Sequence, residues 1–224
     1  MRDWLLGLAH TIDLDVAVEG SGIEAARAVG RALGGRVETH EQFGTATLRH
    51  RTRRVDFAMC RTETYARPAA YPRVTPGALE ADLFRRDFTI NAMAVALDPA
   101  RFGQLVDPFH GARDLRAKRL RVLHPRSFLD DPSRLLRGVR FATRFGLTWE
   151  RATARAAREA TASGALSRLN AGRLSRELDR MGEEPDPAAC LRALASLLET
   201  TALGSGLRAQ GQCPEPRAPS PEHH

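Results

Sequence analysis

The sequence predicts an α+β fold, a mixed sheet with helices, followed by an all-helical region. Three observations carry the prediction. A period-2 run at 11–18, a β pair at 36–39 and 43–48, and a mostly apolar run at 54–60 read as strands. From 124 onward the apolar residues and arginines recur at three- and four-residue steps, the helical period. With 224 residues and 42% hydrophobic content, the chain can bury one good core and a smaller helical unit. The expected division is 1–123 for the first domain, 124–205 for the helical one, and 206–224 for a disordered tail rich in Pro, Gly and Glu.

The net charge of +7 favours a polyanionic partner but says nothing of fold. Lys118 is the only lysine, and a GC-rich genome accounts for most of that bias toward Arg and Ala. Three cysteines, Cys60, Cys190 and Cys213, lack metal-ligand spacing and fit a reduced, cytoplasmic chain. No apolar run reaches membrane-spanning length, and Trp4 to Ala9 is too short for a signal peptide, so no membrane partner is expected.

In chain order, residues 2–7 read as a short helix closed by Gly7. Alternation in the next strand aims Asp13 and Asp15 at one face, where two carboxylates repel unless a cation lies between them. An exposed strand face beside a turn fits the same pattern. Residues 21–33 are helical, with Ile23, Ala26, Val29 and Leu33 inward and Gly34-Gly35 as the stop. A β pair, 36–39 and 43–48, leads to a strand at 54–60 that sets Asp56 in an apolar run, a costly place without a partner. Residues 66–81, with Pro68, Pro72, Pro76 and Gly77, read as a mobile connection.

Residues 82–94, Asp-Leu-Phe-Arg-Arg-Asp-Phe-Thr-Ile-Asn-Ala-Met-Ala, concentrate charge just before an apolar turn. Arg85 and Arg86 lie between Asp82 and Asp87, and Thr89 is placed to cap a short helix. Such charges line a cleft for phosphate or base edges, or form a solvated ion-pair patch. Short strands at 95–97 and 104–106 flank a turn at Asp98-Pro99. From Asp130-Asp131-Pro132 a helix opens with acidic caps. Leu135, Val139 and Ala142 form its inward stripe, and Arg134, Arg137, Arg140 and Arg144 lie on a neighbouring face. Aligned arginines repel unless an anion or carboxylate answers them. Helices continue from 148, with a break near Ser163-Gly164 and a last helix at about 187–203.

The 82–94 stretch strongly resembles the nucleotide-contacting motif of class II tRNA nucleotidyltransferases, the CCA-adding and bacterial poly(A) polymerase family of the polymerase β superfamily. Asp107-Pro108 to Asp114-Leu115 resembles that family's link between head and neck, and Arg61-Thr62-Glu63 its Arg-x-Glu. Asp130-Asp131-x-x-Arg134 resembles its Glu-Asp-x-x-Arg base-reading motif, with Asp130 in place of Glu. The resemblance covers residues 2 to about 180. Ahead of Arg2 the family's first strand and Gly-Gly pair are missing, and so are its body and tail domains at the other end.

The resemblance implies a polymerase β-like nucleotidyltransferase head and a helical neck. It implies two-metal transfer of CMP or AMP from CTP or ATP to the tRNA 3′ acceptor end, without a template or a protein nucleophile. Asp13, Asp15 and Asp56 then hold Mg²⁺, Arg2 and Arg86 contact the nucleotide, and Asp131 and Arg134 read its base, with Arg137 and Arg140 as further contacts. Arg85, Asp87, Asn91, Arg61, Glu63, Arg173 and Glu177 take supporting places. The loop at 66–81 matches the one that switches CTP for ATP. Poly(A) synthesis, C-only or A-only addition, and a non-catalytic RNA- or nucleotide-binding remnant share these motifs.

Overall fold

The structure is a computed structural model that describes residues 1–8 and 13–209, with side chains described over 1–8 and 14–199. After α1 (Arg2–Leu5) come β1 (Asp13–Val18), α2 (Gly22–Leu33), β2 (Arg36–His40), β3 (Thr45–His50) and β4 (Arg53–Met59). The strands form one sheet in the order β1-β4-β3-β2, with β1 parallel to β4 and the other pairs antiparallel.

α2 starts where the Ser21 hydroxyl accepts the Glu24 amide, and ends at Gly34 in the left-handed conformation. Its Ile23 and Ala26 pack with Ala46, Leu48 and Phe57 on one face of the sheet. Leu33 is 54% exposed rather than inward, because it occupies the final turn where the chain leaves the sheet. Alternation sends Asp15, Thr47, Arg54 and Asp56 to the opposite face.

β5 (Arg61–Thr64) pairs antiparallel with β6 (Arg73–Pro76), and α3 (Leu79–Phe84) follows. The stretch 66–81 is therefore not wholly a connection: it contains a strand and the start of a helix. A hydroxyl pair, Thr62 with Thr75 at 2.6 Å, and the Gly77 amide on the Cys60 carbonyl fasten it. Pro76 is compatible with this two-stranded edge because an edge strand leaves some amides unpaired.

A 3₁₀ turn at Thr89–Asn91 precedes the short pair β7 (Ala94–Val95) and β8 (Leu105–Val106). Thr89 does not cap that turn; Phe88 holds the cap position, and the buried Thr89 hydroxyl donates to Asp114 Oδ2 at 2.8 Å. Then come α4 (Gly111–Arg116), β9 (Arg119–Leu120), α5 (Ser127–Asp130), α6 (Ser133–Phe145), β10 (Thr148–Trp149), α7 (Arg151–Ala162), α8 (Ala171–Gly182) and α9 (Pro187–Ala209). The helical region carries one two-residue strand, β10, parallel to β9. α9 runs four residues into the expected tail, whose remainder, 210–224, lies outside the described residues.

Phe88, Ile90, Leu115, Leu120, Phe128, Leu135 and Phe141 share one buried cluster, which continues across residues 123 and 124. The central motif and α6 are thus held by a common core, while α8 and α9 add Met181 and Cys190 against Leu136 and Val139. Gly111 shows how tightly the link is built: a β-carbon there would collide with the Thr89 carbonyl oxygen. Gly111→Ala is therefore expected to cost about 2 kcal/mol or more, read as a lower denaturation midpoint with an unchanged slope.

Candidate active site

The charges of the central motif are wired inward before they meet any ligand. Asp82, 2% exposed, accepts from the Arg61 amide, from Arg85 at 2.8 Å and from Arg86 at 3.3 Å. Glu63 takes Arg85 at 3.0 Å, Arg61 at 3.1 Å and the Tyr65 hydroxyl at 2.9 Å. Arg86 also donates to the Asn91 carbonyl. Arg61 and Glu63 therefore brace Arg85 from below.

Asp87 connects this layer to α6. It accepts from the Phe88 amide, the Asn91 side-chain amide, and Arg137 Nε at 2.8 Å and Nη2 at 2.6 Å. Burial alone pushes its carboxyl up, but Arg137 and the two amide donors outweigh burial and hold it below the usual carboxylate range. Asn91 in turn accepts from Arg2 at 2.6 Å, and the Arg2 guanidinium lies 4.9 Å and 4.5 Å from the Phe141 and Phe145 ring centres.

Along α6 each expected arginine meets an oxygen acceptor. Arg140 and Arg144 share Glu184, and Arg137 also approaches Glu177. Arg134 is 5% exposed and donates to Ser127 Oγ at 2.7 Å and the Arg85 carbonyl at 2.6 Å. Asp131 Oδ1 accepts from the Ser133 amide and hydroxyl and from Arg173 at 2.6 Å, leaving Oδ2 4.0 Å from Arg134. Pro132, not an aspartate, holds the cap position of α6; Asp131, one residue earlier, accepts the first amide of that helix and is also the link from α6 to α8.

These residues wall a cavity of about 780 Å³, within the range of small-molecule sites. Its lining brings together Arg2, Arg85, Arg86, Asp87, Asn91, Asp131, Arg134, Arg137, Arg140, Arg173 and Glu177. Sequence reasoning did not single out Asp3, Arg176 and Arg180, which also line it; the three- and seven-residue steps from Arg173 were the available signal for the two arginines. Glu184 and Ser127 had no local signal, since each meets its arginine only through the fold.

Asp15, Asp56, Arg61 and Glu63 do not line that cavity. Asp15 stands directly opposite Asp56 in the parallel register, and Asp13 opposite Arg54; the Asp13 side chain lies outside the described residues. Asp56 is not in an apolar interior. On the open face of the sheet it accepts from Thr47 Oγ1 at 2.5 Å and pairs with Arg54 at 2.9 Å. The Asp15 side chain is exposed and has no hydrogen-bond or ion-pair partner among the described residues. Among those residues no three His, Cys, Asp or Glu side chains cluster as a metal site. Two facing carboxylates, one of them unneutralised, still suit a hard divalent cation.

The family profile described as "Poly A polymerase head domain" matches residues 1–121, more than half of the chain. The chain belongs to the class II CCA-adding family. An A-adding tRNA nucleotidyltransferase of Halalkalibacterium halodurans is 42% identical over 200 residues, 88% of this chain and 47% of the relative. One from Aquifex aeolicus is 46% identical over 178 residues, 80% of this chain and 22% of the relative. A CCA-adding enzyme in an apo form superposes with a TM-score of 0.84 at 41% identity, covering 88% of this chain and 46% of that one. Members of the CCA-adding family thus share this chain's mixed sheet and following helices, and this chain spans about half or less of these relatives' length. Among the described residues no helix is long and apolar enough to cross a membrane.

Proposed function

We propose that the chain is the head and neck of a tRNA nucleotidyltransferase that adds AMP, CMP or both to tRNA 3′ ends from ATP or CTP without a template. In this reading the head is 1–123, the neck 124–205, and the site of action cytoplasmic. The observation that carries it is the arginine-lined cavity where the central motif meets α6 and α8. The names of the relatives favour AMP.

Asp13, Asp15 and Asp56 are the residues that would hold Mg²⁺. When bound, the ion supplies positive charge for the reacting phosphate and a lowered pKa for the attacking hydroxyl. The rest is the work of this chain's side chains. Arg2 and Arg86 neutralise the triphosphate, and pyrophosphate leaves against positive charge already in place. Arg85 stays paired with Asp82 and Glu63 and fixes the backbone that Arg86 extends from. Arg137 and Arg140 line the wall between base and phosphates.

Asp131 and Arg134 select the base. Ser127 and the Arg85 carbonyl immobilise the Arg134 fork, and Arg173 immobilises Asp131, so the pair is set before the nucleotide arrives. A carboxylate acceptor beside a guanidinium donor complements the edge of A or C, whereas G and U present other donor and acceptor orders.

The test uses this chain, Mg²⁺ and a tRNA ending in CC, with each of the four nucleotides supplied in turn. AMP addition is expected; failure to add any nucleotide both to this tRNA and to one lacking CCA overturns the reading. Asp131→Asn is expected to lower discrimination against G and U by about one to two orders of magnitude, since a hydrogen bond to a charged group contributes roughly 1.5 to 3 kcal/mol. A purely capping Asp131 predicts a stability loss of about 1 kcal/mol with discrimination intact.

A further inference from the structure

The positive charge around the cavity exceeds what a nucleotide needs, and the excess lies on α8. Ten arginines and four carboxylates line the cavity, an excess of six positive charges. Three more carboxylates, Asp82, Glu63 and Glu184, pair with lining arginines from behind and reduce it to three. A triphosphate carrying one divalent cation brings about two negative charges, so a surplus remains.

That surplus has a definite place. Arg173, Arg176, Glu177 and Arg180 occupy one face of α8 at i, i+3, i+4 and i+7, and all four line the cavity. The adjoining face holds Met181 in the core with Leu174 packed against the same cluster, so the helix cannot turn its arginines elsewhere. Arg173 is committed to Asp131. Arg180 is half exposed and shares Glu177 with Arg137. Arg176 is exposed and has no ion-pair partner among the described residues.

We infer that this face of α8 holds the phosphodiester backbone of the RNA 3′ end, Arg176 and Arg180 each taking one phosphate. The inference rests on the RNA-substrate reading above and adds the surface that receives the acceptor strand. Four residues of helix separate the two arginines by about 6 Å along the axis, a step that successive phosphates of a single strand can follow. Guanidinium forks suit phosphate oxygens and carry no base preference, so the contact sets where the 3′ hydroxyl lies without selecting sequence.

The experiment titrates an RNA minihelix ending in single-stranded CC against the chain over a range of NaCl concentrations. A parallel arm titrates ATP with Mg²⁺. The Arg176→Ala/Arg180→Ala variant is expected to show a salt slope shallower by about 1.4, since each phosphate contact on a single strand contributes about 0.7. Its RNA affinity is expected to fall roughly ten- to thirtyfold at about 0.1 M salt, with ATP affinity within about twofold of the unaltered chain. Arg176→Lys/Arg180→Lys keeps the charges and is expected to retain the slope, which separates lost contacts from a damaged fold. An equal loss of ATP affinity would make α8 part of the triphosphate site, and an unchanged slope would make it a solvated face; either result overturns the inference alone. No RNA binding by the unaltered chain overturns the substrate reading together with it.

Discussion

Asp15→Asn and Asp56→Asn are each expected to lower nucleotide incorporation by about a thousandfold or more, equivalent to roughly 4 kcal/mol of transition-state stabilisation. The two residues occupy one register position on parallel strands, on the sheet face that α2 leaves open. Asp15 is exposed and unpartnered among the described residues, so its replacement removes no contact that holds the fold. Asp56 keeps hydrogen-bonding capacity toward Thr47 and Arg54 as Asn, and the half-exposed ion pair with Arg54 contributes about 1 kcal/mol at most. Both variants should therefore melt close to the unaltered chain without divalent cation. Adding Mg²⁺ should raise the melting temperature of the unaltered chain by mass action and leave the variants' unchanged. Incorporation by Asp15→Asn at the unaltered rate, with the same Mg²⁺ response, sinks the assignment of these carboxylates.

The alternation in β1, the helical stripe of α2 and the arginine row of α6 were legible because each is a local pattern of one element, whereas Asp56 was read into an apolar run because the open face of β4 is set by its neighbours in the sheet. Family membership was legible in the unbroken 82–94 run. What sequence did not disclose is where those charges go. Asp82 is a hub for Arg61, Arg85 and Arg86, and Glu184 answers Arg140 and Arg144 from 40 or more residues away. Pairings at that separation exist only once the core is assembled. Thr89 misled for the same reason: its hydroxyl serves a carboxylate 25 positions on instead of its own turn. Around 66–81, prolines suggested a free connection, yet a strand that pairs along a single edge tolerates them.

Breaking the pair between Asp87 and Arg137 is expected to cost the largest share of stability, about 3 to 5 kcal/mol, because removing one partner leaves the other charge buried. Asp87 is 6% exposed, and Arg137 reaches it from 50 residues away through two hydrogen bonds. The pair ties the central motif to α6 beside the cavity, so its loss should loosen both walls. Asp87→Ala and Arg137→Ala should each lower the melting temperature by roughly 10 °C for a chain of this size. The double variant should lose less than the two single losses combined, the sign of a direct interaction. The acid dependence follows from the same geometry. Arg137 and the amide donors hold the Asp87 carboxyl below its ordinary value despite burial. A carboxyl depressed on folding stabilises fully above its unfolded value of about 3.9 and stops doing so as pH falls through the folded value. The stability difference between the unaltered chain and Asp87→Asn should thus stay constant from about pH 5 to 8 and shrink below about pH 4. Single-variant losses under about 1 kcal/mol would show that Asp87 is held by the Phe88 backbone amide and the Asn91 side-chain amide and that Arg137 is free to leave it for the nucleotide.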